Sequence, residues 1–159
     1  MKIRIFAIGK IKDRFLKDGI NEYLTRLQPY ANTEIVEVND SPIRDSFNQS
    51  EINKAIEAEG DRVLNLLKPN DYLIALDLNK KELTSEKFSE YLIEKIEQNG
   101  STVNFVIGGS YGLSNKLKAR ANDSISLSKM TFLHQMTRLI LLEQIYRAFK
   151  IYRNETYHK

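Results

Sequence analysis

The sequence predicts a single domain of the α/β class, with a mostly parallel sheet flanked by helices. Short apolar runs of strand length alternate with segments whose apolar residues recur at helical spacing, which is typical of that class. Turn-forming residues separate these segments, and neither an internal repeat nor a linker is visible. A chain of 159 residues is long enough for one domain and too short for two of ordinary size, so residues 1–159 are expected to fold as one unit.

The first third predicts two strands around one helix. Residues 2–8 alternate charged and apolar side chains before becoming apolar, as in a strand that enters a core. A helix is expected from Asp13, a candidate N-cap, to Leu27, because apolar residues recur at helical spacing and Pro29 follows. Residues 33–38 predict a second strand.

A helix and a buried strand are predicted next. Residues 39–50 are polar and rich in turn formers, and we expect them to be the least ordered segment. Ser50 is the expected N-cap of a helix that Pro69 closes. The near-continuous apolar run 71–78 is typical of a strand buried on both faces of a parallel sheet, and residues 79–82 predict the turn beyond it.

The remaining elements keep the same alternation. A helix capped by Thr84 or Ser85 precedes an apolar strand over residues 102–107. A glycine-rich turn then leads into a short basic helix. A fifth strand is predicted at residues 124–127, and a long helix from about 135 to 153.

The composition excludes several kinds of site. The chain has no cysteine and two histidines, so neither a disulfide nor a metal site is expected. Lys2 and Arg4 interrupt the apolar start, which argues against a signal peptide. No window approaches the roughly 18 apolar residues that a membrane span needs. We therefore expect a cytoplasmic protein without a membrane partner.

Charge is distributed unevenly along the chain. Residues 1–30 carry seven Lys and Arg against three Asp and Glu, residues 31–100 carry eight against fifteen, and residues 101–159 carry nine against three. Cationic ends around an anionic middle would steer a polyanion toward the surface that the termini build. The alternative is that the acidic helices are simply solvated.

Three predicted strands end in residues that suit a small polar ligand. These ends are 76–78, 108–110 and 127–129, and ligands of open α/β sheets lie beyond the carboxyl ends of the strands. Gly108 and Gly109 would let a ligand approach the backbone closely, although a Gly-Gly pair also occurs for loop geometry alone. Neither a Gly-x-Gly-x-x-Gly fingerprint nor a Walker A sequence is present, so dinucleotide and kinase sites are not expected.

The last third contains an unusually cationic stretch. Both histidines, His134 and His158, lie in it, and no acid occurs between Asp123 and Glu143. Arg138 falls within the apolar half of the last helix, so it is either a structural arginine satisfied by a carboxylate or carbonyls, or a residue that meets substrate. The apolar half is so broad that we expect part of it to contact a second copy.

Five motifs in this region form a long and specific pattern. They are Gly108-Gly-Ser-Tyr-Gly, Leu127-Ser-Lys-Met-Thr-Phe, His134-Gln-Met-Thr-Arg138, Leu142-Glu-Gln-Ile-Tyr-Arg-Ala-Phe-Lys-Ile151 and Arg153-Asn-Glu-Thr-Tyr-His158. The pattern resembles the ribosomal RNA large subunit methyltransferase H family of the SPOUT superfamily. The family's amino-terminal pattern is also resembled, by Gly9-Lys10, Lys12, Glu22-Tyr23, Arg26-Leu27 and Tyr30. Leu133 and Thr156 stand where that family often has proline, which removes no reactive group.

The resemblance implies a SPOUT-type fold with a C-terminal trefoil knot. It also implies methyl transfer from S-adenosylmethionine to N3 of a pseudouridine in 23S rRNA of the assembled 70S ribosome, by a homodimer. On matching positions the cofactor would be held by Leu76, Gly108, Leu127, Ser128, Lys129, Met130, Thr131 and Phe132. The cofactor supplies its own electrophile, so no metal is required. A SPOUT methyltransferase acting on tRNA and a non-catalytic RNA-binding domain are the alternatives.

The same resemblance implies catalytic candidates. N3 must lose its proton near transfer, and Tyr157, His158 and His134 are candidates for helping. Arg138 or Arg153 would stabilise the developing oxyanion or bind phosphate. No residue is assigned as the base. The last three residues would by default be a frayed tail, and with the resemblance they become a tail over a flipped base.

Overall fold

Five strands alternate with five helices in the residues that this computed structural model describes, 1–43 and 48–159. The strands are β1 (Lys2–Ile8), β2 (Asn32–Val38), β3 (Leu73–Glu82), β4 (Thr102–Ile107) and β5 (Asp123–Ser126). The helices are α1 (Arg14–Leu27), α2 (Gln49–Leu64), α3 (Ser85–Gln98), α4 (Asn115–Arg120) and α5 (His134–Tyr152). No helix in these two ranges is long and apolar enough to cross a membrane.

The strands form one parallel sheet in the order β2-β1-β4-β3-β5. The predicted α/β class is therefore confirmed. Strand residues alternate between two cores: Phe105 packs with α1, α3 and α5, whereas its neighbour Val106 packs with α2 and α4. Because helices cover both faces, the central strands need apolar residues at successive positions.

Several element boundaries differ from the predictions: α2 ends at Leu64, before the expected stop at Pro69, and two other differences have a clear physical cause. Residues 79–82 continue β3 instead of forming only a turn, because a register shift between Leu76 and Lys81 lets the strand pair again with β5. The N-cap of α2 is Asn48, whose side chain accepts a hydrogen bond from the Glu51 amide at 2.9 Å, so the assignment of Ser50 was wrong. Within the segment 39–50, residues 44–47 lie outside the described part of the chain.

The apolar half of α5 is largely covered within one chain. Leu142, Ile145 and Phe149 are buried in the core that α5 shares with α1 and α3. The breadth of this face therefore needs no second copy to cover it. Contact of α5 with a second chain stays a prediction.

Candidate active site

The three predicted strand ends meet at the carboxyl edge of the sheet around a cavity of about 770 Å³. Its walls come from residues 76–78, 107–113 and 126–134 except Lys129, with Lys118 of α4 and Thr137 of α5 completing them. The convergence follows from the parallel topology, because β3, β4 and β5 all end at the same edge. The structure thus forms a cavity where the sequence placed a ligand.

Seven of the eight residues proposed to hold a cofactor line this cavity. They are Leu76, Gly108, Leu127, Ser128, Met130, Thr131 and Phe132. Lys129 is exposed and does not belong to the lining. Cofactor binding by these residues stays a prediction, but the geometry brings almost all of them together.

The glycine turn after β4 is closed by its own backbone. A Cβ on Gly108 would lie 2.7 Å from the carbonyl carbon of Gly112. Gly112 has a φ of +87° and donates its amide to the Gly109 carbonyl at 3.1 Å. Of the two interpretations of Gly108, loop geometry explains the glycine directly, and the tight turn forms one wall of the cavity.

The loop after β5 is held by short-range hydrogen bonds. The Ser126 hydroxyl donates to the Ser128 carbonyl at 3.0 Å, and the Ser128 hydroxyl accepts from the Met130 amide at 3.0 Å. These bonds turn the chain across the cavity, and the Met130 side chain remains 75% exposed. The loop therefore offers both backbone groups and an apolar side chain at the cavity mouth.

Arg138 lies in the protein interior and outside the cavity lining. It is 1% exposed, and its Nη1 donates to Glu37 Oε2 at 2.7 Å. Its Nη2 donates to the carbonyls of Ile8 and Gly9 at 3.0 and 2.8 Å. These contacts match the interpretation of Arg138 as a structural arginine, since they join α5 to the ends of β1 and β2. A catalytic role for Arg138 stays a prediction.

His134 is the histidine that lines the cavity. It opens α5 and is half-buried. Burial and the nearby Arg138 guanidinium lower the pKa of His134, so its imidazole is neutral at pH 7.

The carboxyl-terminal tail is docked on the helical layer rather than frayed. The Tyr157 hydroxyl donates to Glu143 at 3.1 Å, and its ring meets Tyr146 edge-on. His158 Nε2 lies 2.8 Å from the Glu86 carboxylate. Helices rise about 1.5 Å per residue, so Glu143 lies about 13 Å along α5 from His134. Neither Tyr157 nor His158 lines the cavity of its own chain.

Some lining residues carried little signal in the sequence. In the sequence, Lys118 is one of several cations in a basic helix, and Thr137 is a polar residue near a helix start. Neither pattern indicated a place in the cavity lining. Tyr111 lines the cavity from the glycine turn and is 53% exposed. Lys118 could have been found from its place on the helix that directly follows the glycine turn.

Comparison with known proteins extends over the whole chain. Residues 1–158 match a family model described as "Predicted SPOUT methyltransferase". The ribosomal RNA large subunit methyltransferase H of Carboxydothermus hydrogenoformans is 49% identical over 159 residues, with 100% of both chains covered. The protein of the same name from Symbiobacterium thermophilum is 47% identical over 161 residues, also with 100% of both covered.

A solved structure also resembles the chain. The putative methyltransferase Lpg2936 from Legionella pneumophila, in complex with SAM, matches with a TM-score of 0.48 and 10% identity, over 94% of this chain and 66% of that one. The family model defines the class as SPOUT methyltransferases. Full-length identity near one half then places the chain more narrowly: it belongs to the ribosomal RNA large subunit methyltransferase H family.

Proposed function

We propose that this protein transfers a methyl group from S-adenosylmethionine to RNA of the large ribosomal subunit. The observation that carries the proposal is the cavity at the ends of β3, β4 and β5, where seven residues expected at the cofactor lie together. Membership of the methyltransferase H family supports the RNA substrate. At finer detail, the proposed acceptor is N3 of a pseudouridine in 23S rRNA, within the 70S ribosome of the cytoplasm.

The cavity fits an amphiphilic cofactor of this kind. Its volume of about 770 Å³ lies within the range of about 300–1,000 Å³ that is usual for small-molecule sites. Its walls combine apolar side chains, glycine backbone and one pair of opposite charges, Asp77 and Lys118. S-adenosylmethionine supplies an electrophilic sulfonium methyl when bound, so the protein must chiefly align the acceptor and exclude water.

The candidate proton acceptors differ in their environments. His134 is neutral and lines the cavity, which suits a group that assists proton loss from N3. Burial, with hydrogen bonds to Tyr23 and Glu143, raises the pKa of Tyr157, so its hydroxyl stays protonated at neutral pH and acts as a donor. Tyr157 therefore suits positioning better than proton abstraction.

A homodimer belongs to the same proposal. The amino-terminal halves of α1 and α5 lie side by side, since a Cβ on Gly19 would lie 3.1 Å from Leu139 Cδ2. Phe15 of α1 and Leu133 and Met136 at the start of α5 are exposed apolar residues, and we propose that they form one patch. The patch borders the cavity through Leu133, so a second copy docked there would also bring its own residues to the cavity mouth.

A C-terminal trefoil knot is likewise part of the proposed SPOUT architecture.

The decisive experiment supplies methyl-labelled S-adenosylmethionine with unmodified 70S ribosomes, and separately with unmodified tRNA. We expect label in 23S rRNA, recovered as N3-methylpseudouridine on nucleoside analysis. Label in tRNA alone would identify a tRNA methyltransferase instead. Absence of cofactor binding at millimolar concentration in calorimetry would leave an RNA-binding domain as the better description.

A further inference from the structure

The cavity contains one pair of opposite charges at neutral pH. Among the described lining residues, Asp77 and Lys118 are the two side chains that are ionised, because the pKa of His134 is lowered and the others are apolar, glycine or neutral polar groups. Lys118 Nζ lies 3.6 Å from Asp77 Oδ2. This distance exceeds that of a normal charge-assisted hydrogen bond, about 2.7–2.9 Å, so the pair is loosely formed.

The place of Asp77 in the fold separates it from the regular sheet. It follows Leu76 at the register shift of β3, where the pairing with β5 is interrupted. Its side chain is 18% exposed, whereas that of Lys118 on α4 is 41% exposed. The carboxylate is therefore fixed in the wall while the ammonium is free to swing toward a ligand.

Asp77 also retains unused hydrogen-bonding capacity. In residues 1–43 and 48–159 no donor reaches its carboxylate within hydrogen-bonding distance, and Lys118 Nζ has no other carboxylate partner. By contrast, Asp71 accepts from the Arg4 guanidinium and the Lys68 amide, both at 2.8 Å. A partly buried carboxylate that faces the cavity with so few protein partners is available to accept hydrogen bonds from a ligand.

The chemistry of the pair matches one part of the cofactor. An α-amino acid carries an ammonium and a carboxylate close together, which are the charge complements of Asp77 and Lys118. The remaining walls suit the adenine, ribose and thioether portions, because they are apolar or offer backbone groups. A half-exposed, loosely formed ion pair is weak, so little free energy opposes its opening around a zwitterion.

We propose that Asp77 and Lys118 bind the amino acid end of S-adenosylmethionine, with Asp77 accepting from its ammonium and Lys118 donating to its carboxylate. This inference rests on the proposed function, since it requires that cofactor in this cavity. It assigns substrate-binding roles to two residues that the sequence motifs left out. We call this pair of residues the clamp. Lys118 moves when the cofactor binds, whereas Asp77 stays in place.

Calorimetry with three ligands tests the clamp without any methyl transfer. S-adenosylhomocysteine retains both charged groups, decarboxylated S-adenosylmethionine retains only the ammonium, and 5′-methylthioadenosine lacks both. Asp77→Asn should lower the affinity for S-adenosylhomocysteine and for decarboxylated S-adenosylmethionine about tenfold or more. Lys118→Met should lower only the affinity for S-adenosylhomocysteine by that factor. Neither substitution should change the affinity for 5′-methylthioadenosine.

A matched control is available on the same helix. Lys116 pairs with Asp61 at 3.3 Å and lies outside the lining, so Lys116→Met should bind all three ligands as the wild type does. Thermal unfolding checks that each variant is folded. The clamp is refuted if Asp77→Asn weakens 5′-methylthioadenosine equally, because Asp77 would then contact the ribose, or if Lys118→Met leaves S-adenosylhomocysteine unaffected. Wild-type protein that binds none of the ligands would overturn the proposed function together with the clamp.

Discussion

Arg138 shows how one side chain joins three elements. Its guanidinium contacts Glu37 of β2 and the carbonyls at the end of β1 from a position on α5. Removal of the guanidinium leaves two carbonyls without their donor and a carboxylate without its counter-charge.

We expect Arg138→Met to lower the free energy of unfolding by about 3 kcal/mol, measured by urea denaturation at pH 7. Glu37→Gln is the control. Because Glu37 is 42% exposed and a glutamine still offers an acceptor, this variant should lose clearly less unfolding free energy. Wild-type stability in Arg138→Met, combined with lost methyl transfer, would favour the catalytic alternative.

Gly108 is constrained by the backbone of Gly112, which changes the expected effect of substitution. The sequence alone predicts that Gly108→Val blocks the cofactor in an intact fold, but even the Cβ of Gly108→Ala would force the turn to move. We expect Gly108→Ala to weaken S-adenosylmethionine binding at least tenfold in calorimetry, because a wall of the cavity shifts.

Gly100→Ala is the matched control for that substitution. Gly100 also has a positive φ, +64°, but it lies at the opposite edge of the sheet, and a Cβ added there would meet no atom within 4 Å. It should cost about 1 kcal/mol of stability and leave cofactor affinity unchanged. Equal loss of affinity in both variants would mean that the effect is global destabilisation.

Glu59 gives a pH-dependent prediction. Burial raises its pKa, opposed by the hydrogen bond that it accepts from the Ser41 amide at 3.0 Å. Because the pKa of Glu59 is higher in the folded than in the unfolded chain, protonation of this carboxyl group favours the fold. That contribution is fully present below the unfolded pKa of 4.5 and is lost as pH rises through the folded pKa.

Glu59→Gln does not titrate, so it should be more stable than the wild type at pH 7, and the advantage should shrink as pH falls toward 4. Urea denaturation across this pH range measures the difference. Glu57→Gln, on the exposed face of the same helix, should show no such trend. An advantage that is constant with pH would contradict the assignment to this carboxyl group.

At the scale of elements, the tail behaves as a docked segment. Tyr157 packs on Tyr146 and hydrogen-bonds to Glu143, while His158 contacts Glu86 of α3 and Arg147 of α5. These contacts hold the tail about 13 Å along α5 from the start of the helix at the cavity.

We expect deletion of residues 157–159 to leave cofactor affinity unchanged and to abolish methyl transfer to ribosomes. The affinity is retained because the tail does not line the cavity. Deletion of Lys159 alone, an exposed residue, is the control and should keep activity. Full turnover by the longer deletion would show that the tail serves packing only.

At the scale of the whole molecule, the exposed patch of Phe15, Leu133 and Met136 predicts self-association. Phe15→Glu places a charge in the proposed interface, so we expect it to shift a dimeric wild type to monomer in light scattering. Leu66→Glu is the control, because Leu66 is also exposed but follows α2 on the other face of the sheet. Dissociation by both variants, or by neither, would argue against this interface.

The overall architecture was predictable because its signals are local. Apolar runs and helical spacing identified each element, and parallel order alone required the ends near Leu76, Gly108 and Leu127 to meet. Contacts between distant residues were not predictable in this way. The partner of Arg138 is Glu37, 101 positions away, and no sequence pattern distinguished that carboxylate from others.

The extension of β3 was missed for a related reason. Asn79 has a positive φ of 60° and begins a run of polar residues, so the local signal is that of a turn. Pairing of Lys81 with Ile125, and its ion pair with Asp123 at 2.6 Å, come from a strand more than forty residues later. Long-range pairing of this kind overrides local preference.

The order in which the cavity walls occur along the chain has a consequence for how the protein is made. The walls run from Leu76 to Thr137, and β5 adds to the sheet beside a strand made much earlier. A growing chain therefore has no complete cavity until its last third has left the ribosome and the slow, long-range parallel pairing is finished. Ligand binding thus requires that the chain has been made through Thr137 and that the sheet has formed, and a chain that ends before β5 cannot hold the cofactor.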